Sequence, residues 1–173
     1  MSSSVGAPAP TIRDATEDDI EAMTEIYNQV VKDSDSIWID EDVSVEDRLG
    51  WFRGLRPDDV ALVAVDTAGT VLGYTACFPF RAKSGYWPTV ELTILLHRDH
   101  RGEGVGRLLM EALIDRTAAA GRHVLVAGID GGNVGSIRFH ERHGFREVAR
   151  MPGVGRKMGR PVDLVLMQRE LQP

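Results

Sequence analysis

The sequence predicts an α/β fold in which helices flank a mixed β-sheet, parallel or locally splayed at its crossover. Two observations carry this reading. Ala61 to Val65 and Val71 to Phe78 are β-rich runs joined by a short turn, and from Thr89 to Ile129 a strand, a helix and a strand follow one another. The first pattern makes an antiparallel hairpin. The second is a crossover, which requires a parallel or locally splayed pair.

Ile12 and Arg13 open a short first strand. Thr16 and Asp19 stand at capping-box spacing ahead of Ile20, Met23, Ile26, Tyr27, Val30 and Val31, whose helical recurrence marks a buried stripe. Ser36 to Asp42 follows and carries an isolated Trp38. Ser44 and Asp47 repeat the cap signature, and Val45, Leu49 and Phe52 line a second helix despite Gly50. In the hairpin, Asp66 to Thr70 turns the chain, with Gly69 supplying the turn chemistry. Thr89 to Leu96 is a longer run that leads into the glycine-rich stretch Arg101 to Gly106. That stretch opens a helix with Val105, Leu108, Leu109, Ala112 and Leu113 on its apolar face and Gly121 at its end. His123 to Ile129 reads as a strand, Asn133 to His143 as a short helix stopped by Gly144, Phe145 to Arg150 as a strand, and Asp163 to Glu170 as the last one.

Composition narrows the function. The 173 residues suffice for one domain over 11–173, behind a small, Pro-rich tail from Met1 to Pro10 that lacks the basic start and apolar run of a signal peptide. No later apolar run approaches the ~20 residues of a membrane helix. Twenty Lys and Arg against 26 Asp and Glu leave a net charge of −6, which gives no general attraction to nucleic acid or an anionic membrane. Any anion must therefore be held by a local site. Cys77 is the only cysteine, which excludes an intramolecular disulfide and a thiolate zinc cluster and makes a cytoplasmic enzyme the simplest setting. Among Thr75, Ala76 and Phe78 it reads as a small buried hydrophobe. His97 with His100 and His140 with His143 are three apart, whereas a zincin helix needs four with Glu beside the first His, so no metal is expected.

His100 to Arg107 lies between a strand and a helix, where free N–H groups and the helix dipole favour an anion. A dinucleotide fingerprint would need glycine where Arg107 stands, and a Walker loop would need Gly-Lys-Ser or Gly-Lys-Thr, which is absent. The spacing Arg101-x-x-Gly104-x-Gly106 after an extended strand resembles instead the pyrophosphate loop of the Gcn5-related N-acetyltransferase superfamily. Asn133-x-x-Ser136 with Phe139 to Phe145 is similar to the superfamily's second CoA-contacting helix. Trp87 to Glu91, Leu125 to Asp130 and Val154 to Gly159 are similar to the phosphinothricin and methionine sulfoximine acetyltransferases, and together the likeness spans about Ile12 to Leu171. Arg98 stands where proline is common, and Met158 and Pro161 replace bulkier residues common in the subfamily.

The resemblance implies acetyl-CoA as co-substrate, direct transfer to the primary amine of phosphinothricin or methionine sulfoximine, and a homodimer. It assigns cofactor contacts to Ile94, Leu95, Leu96, Arg101, Gly102, Glu103, Gly104, Val105, Gly106, Arg107, Asn133, Ser136 and His140. An alkyl ammonium with a pKa near ~10 needs a base at neutral pH, and Glu91, placed by the resemblance beside the thioester, is the candidate. Backbone N–H groups around Ile94 to Leu96 would polarise the carbonyl where the strands splay. His140 stands where relatives often have a tyrosine, as an acid for the departing thiolate or as a packing residue. Arg81 and Lys83, just before Tyr86, offer cations to an acceptor carboxylate or form a solvated basic loop, and Trp38 walls the acceptor pocket or covers the core or a subunit interface. Two other readings stay open: acetylation of a peptide N-terminus or polyamine, and a CoA-binding sensor without turnover.

Overall fold

The computed structural model describes residues 9–172, so most of the expected tail lies outside the described residues. Seven strands form one sheet in the order β1 (Thr11–Asp14), β2 (Ala61–Val65), β3 (Val71–Pro79), β4 (Thr89–Leu96), β5 (Val124–Asp130), β7 (Arg160–Glu170) and β6 (Arg146–Lys157). All neighbours are antiparallel except β4 and β5, the pair joined by the crossover helix α3 (Val105–Ala119). The other helices are α1 (Ile20–Asp33), α2 (Val45–Arg53) and α4 (Val134–Arg142).

The two-residue period of the strands divides the core between the sheet's faces. Leu62, Leu92, Leu125, Ala127 and Met167 meet Leu109, Met110 and Leu113 of α3 on one face. Val63, Tyr74 and Leu95 meet Ile20, Met23, Ile26 and Val30 of α1 on the other. Thr16 and Asp19 form the expected capping box, and Arg13 pairs with the buried Asp19 at 2.7 Å.

β4 and β5 pair only from Thr89 with Val124 to Leu92 with Ala127. Beyond that point Thr93 to Leu96 stay with β3, while Gly128 to Asp130 stay with β7. The sheet therefore opens down its middle. Gly73 of β3 permits this course: a Cβ there would stand 2.7 Å from Leu96 Cδ2 and 2.9 Å from the Leu95 carbonyl oxygen.

Two expectations need correction. The strands read as Phe145 to Arg150 and Asp163 to Glu170 are arms of a much longer hairpin that reaches Lys157 and Arg160. Its two-residue loop has φ +48° at Met158 and +74° at Gly159, positive at both positions as a type I′ turn requires. In α2 the Ser44–Asp47 capping box forms, yet Val45 is exposed and Leu49 and Phe52 are only partly buried. The helix is a cover over the α1 face.

Candidate active site

Where β4 leaves β5 a cleft of about 870 Å³ passes between them. Its floor is the end of β4 facing Ala127 to Asp130, one end is the start of α3, and the other is the segment after α1. The His97 N–H donates to the Leu72 carbonyl of β3 at 2.9 Å. Strand alternation then turns the N–H groups of Leu95 and Thr93 toward β3 and those of Leu96 and Ile94 toward β5. Pairing with β5 has already stopped at Leu92, so the Ile94 and Leu96 donors face the cleft. Leu95 itself is core.

At the α3 end, Gly102 and Gly104 have φ of +83° and +84°, left-handed values that suit glycine. The first helical bond runs from Leu108 N–H to Gly104 carbonyl, which leaves the N–H groups of Val105, Gly106 and Arg107 without helical partners. A Cβ on the buried Gly106 would stand 3.4 Å from Leu96 Cδ1 and 3.6 Å from the Phe139 ring, so glycine lets α3, α4 and the β4 end approach closely. Arg101 lines the cleft, and no ion pair engages it among the described residues. Other side chains of the loop turn elsewhere. Glu103 meets His100 at 3.0 Å, Arg107 meets Glu111 at 3.1 Å, and Val105 is buried in the core. From this loop the cleft receives Arg101, Gly102, Gly106 and free backbone donors.

Asn133 and Ser136 line the same cleft. Asn133 Oδ1 caps α4 by accepting from the Ser136 N–H at 3.0 Å, while its Nδ2 donates to Ser36 Oγ at 3.0 Å. His140 Nδ1 lies 2.8 Å from the Ser136 carbonyl, which only accepts, so Nδ1 carries the proton and Nε2 a lone pair. Nε2 is buried without a partner among the described residues, and burial pushes the imidazole pKa down. The ring packs edge-on against Phe139 and Phe145, and burial favours its neutral form. This surrounding suits the packing alternative expected for His140.

Glu91 lies on the α1 face of β4, opposite Phe78 and beside Val126. A Cβ on Gly128, a residue of the cleft wall, would stand 3.2 Å from Glu91 Oε1, which puts the carboxylate at the edge of the gap. Burial raises its pKa above the usual carboxylate value, and the charge of Arg81 opposes that rise. A half-desolvated carboxylate at a strand gap is a competent proton acceptor.

Other expected acceptor residues lie apart from the cleft. Arg81, Lys83 and Tyr86 surround a second hollow of about 440 Å³ together with Arg56, Trp87 and Arg122. Arg81 stacks 4.1 Å over the Phe80 ring and reaches Glu91 through its charge. Trp38 is no cleft wall: its indole lies flat against Gly155 of β6, and its Nε1–H donates to the Asp35 carbonyl at 2.9 Å. The wall is instead Ser34, Asp35, Ser36 and Ile37, for which the sequence carries no signal beyond their place after a helix. Asp130 also lines the cleft, where burial and the neighbouring Asp35 raise its pKa. Cys77 is buried, its pKa raised by burial, with Sγ 3.6 Å from Thr117 Oγ1. Among the described residues no three His, Cys, Asp or Glu side chains group as a metal site would need, and no helix is long and apolar enough to cross a membrane.

A split parallel pair, unpaired strand donors and an anion-ready helix start define an acyl-transferase type of site. The chain belongs to the Acetyltransferase (GNAT) family, whose model matches residues 20–145. It is 40% identical over 161 residues to the L-methionine sulfoximine/L-methionine sulfone acetyltransferase of Salmonella typhimurium, covering 93% of this chain and 94% of that one. It is 35% identical over 170 residues to the phosphinothricin N-acetyltransferase of Streptomyces coelicolor, covering 96% and 99%. A Salmonella typhimurium acetyltransferase structure with its cofactor acetyl-CoA matches with a TM-score of 0.89 and 41% identity, covering 95% of each chain. The ribosomal-protein-alanine N-acetyltransferase of Brucella melitensis matches with a TM-score of 0.89 and 39% identity, covering 93% and 99%.

Proposed function

We propose that this enzyme transfers the acetyl group of acetyl-CoA directly to the primary amine of a small amino-acid-like acceptor of the methionine sulfoximine or phosphinothricin type. The observation that carries the reading is the gap between β4 and β5, which sets the Ile94 and Leu96 N–H groups beside the free N–H groups of α3 and leaves Glu91 at its edge. The fit to acetyl-CoA is chemical as well as spatial. A pyrophosphate suits the α3 N-terminus and Arg101, and an extended chain of amides suits a strand edge with unpaired donors. In the gap, the two strand donors would supply hydrogen bonds to an oxygen that gains charge as a thioester carbonyl is attacked.

The acceptor enters as an ammonium and needs to lose a proton. Glu91 takes it, directly or through water; the amine nitrogen then bonds to the carbonyl carbon and gives up a second proton to water as the C–S bond breaks. The thiolate needs only a weak acid, and the proton held by Glu91 or by water meets that need without His140. Arg81 lines the second hollow and not the cleft, so its charge acts on the acceptor's base, Glu91, and not on the acceptor's carboxylate. The likeness to the Brucella enzyme favours a peptide N-terminus as the second reading. We further propose a cytoplasmic homodimer. Its free cysteine suits a reducing compartment, and a second copy would cover Val148, Met151 and Val154, exposed on edge strand β6.

Free-thiol release from acetyl-CoA, measured against amino acids, glutamate analogues, peptides and polyamines, tests this reading. It expects release with methionine sulfoximine or phosphinothricin above all others. Release with peptides alone would transfer the assignment to the second reading, and no release with any amine would leave a CoA-binding sensor.

A further inference from the structure

The segment that walls the cleft after α1 is gripped by the tip of the β6–β7 hairpin. Lys157 is 3% exposed, yet it reaches Val31 across 126 residues of sequence: its Nζ donates to the Val31 carbonyl at 2.8 Å and also to the Ile39 carbonyl. Val31 belongs to the last turn of α1, where carbonyls lack helical partners and the helix dipole favours a cation. Asp40 Oδ1 lies 4.0 Å from the same ammonium and accepts from the Met158 N–H at 2.9 Å. Across the turn, Arg160 holds both carboxylate oxygens of Asp35 at 3.1 Å. Gly155 seats Trp38 so closely that a Cβ would stand 2.2 Å from the ring.

Burying an ammonium is costly, and an apolar side chain of the same volume would pack with less penalty. An apolar residue, however, could not join carbonyls from the end of a helix and from the loop beyond it. Between those two carbonyls lie Ser34 to Ile37, the cleft wall, and Ser36 is tied from the other side by Asn133.

We propose that Lys157, assisted by Arg160, is a positioning residue for the acceptor amine: it fixes the 34–42 segment, whose Ser34 to Ile37 wall the cleft together with Gly128, and so sets the width of the acceptor end of the cleft. The proposal rests on the acetyltransferase reading. It assigns the hairpin tip to acceptor binding and not to acetyl-CoA binding, because among the described residues no hydrogen bond or ion pair joins Lys157 or Arg160 to the α3 loop.

The test compares Lys157→Met and Arg160→Met with wild type in acceptor KM for methionine sulfoximine, kcat, acetyl-CoA Kd by calorimetry, and amide hydrogen exchange over residues 34–42. Lys157→Met should raise acceptor KM about tenfold or more with acetyl-CoA Kd changed less than about twofold, and should speed exchange in 34–42. Arg160→Met removes a surface pair, so it should fold and raise acceptor KM about twofold to threefold. If Lys157→Met fails to fold, Gly155→Ala, which presses on Trp38, carries the test beside Arg160→Met with the same outcomes. Acceptor KM and loop exchange at wild-type levels in the folded variants would overturn the proposal, as would acetyl-CoA Kd rising in step with acceptor KM. Failure of the underlying reading shows differently, as no thiol release by the wild type with any amine.

Discussion

Replacing Glu91 by Gln preserves the shape of the gap and removes its base. The carboxylate stands at the wall formed by Gly128, and burial holds its pKa above the usual carboxylate value despite the charge of Arg81. An amide in the same place can orient an amine but cannot accept its proton, so turnover at neutral pH should fall about a hundredfold to ten-thousandfold. That range corresponds to about 3–5 kcal/mol of barrier. Acetyl-CoA binding should remain, because the α3 loop is untouched. The pH profile gives a second readout. In the wild type, activity should fall as pH drops through a Glu91 pKa raised above the usual carboxylate range, while the variant should lose that limb and recover as pH rises and the amine deprotonates unaided. Stability should move the other way. A group whose folded pKa is raised contributes stability below its unfolded pKa and loses it as pH rises through the folded pKa. Glu91→Gln should therefore be more thermostable than wild type at neutral pH, with the gap closing toward acid. The assays are steady-state thiol release from pH 5 to 10 and thermal melts over the same range; wild-type turnover in the variant at neutral pH would refute the assignment of the base.

Three further outcomes follow from the site. Arg101→Ala removes a cleft cation that forms no internal ion pair, and calorimetry should show acetyl-CoA binding weakened about tenfold to a hundredfold, the equivalent of one charge-assisted hydrogen bond. His140→Phe should keep kcat within about fivefold of wild type at neutral pH, since burial disfavours the charged ring and Nδ1 is engaged with the Ser136 carbonyl; a loss approaching that of Glu91→Gln would assign His140 the acid role. Arg81→Ala should leave acceptor KM within about twofold of wild type, because Arg81 lines the second hollow and not the cleft. It should also shift the acid limb to higher pH, because Arg81 no longer opposes the burial of Glu91.

Local chemistry made much of the fold legible. β2 and β4 span the runs 61–65 and 89–96 because β-branched and apolar residues end there at polar or turn-forming neighbours. The crossover left β4 and β5 either parallel or locally splayed, and they are both in turn; the glycine loop was readable because left-handed turns and a close helix approach leave few alternatives to glycine. The hairpin tip was not readable. Pro152, Gly153, Gly155 and Pro161 look like breakers, and Met158 occupies a positive-φ turn position usually given to Asn, Asp or Gly. Gly155 is small for a reason set by Trp38, more than a hundred residues away. The His140 tautomer, the separation of Arg81 and Lys83 from the cleft, and the burial of Lys157 all depend on such distant contacts. Residue identity supplied the chemistry there, but only the packed chain shows which partner each group meets.

One competition reaction tests the central assignment most directly. Wild-type enzyme receives limiting acetyl-CoA with equal concentrations of methionine sulfoximine and a short peptide bearing an N-terminal alanine, and mass spectrometry follows both products beside the free thiol. The account predicts that thiol release equals the N-acetylated methionine sulfoximine formed, with acetyl peptide a minor product. Acetyl peptide in the majority, or thiol released without any acetylated amine, would contradict it.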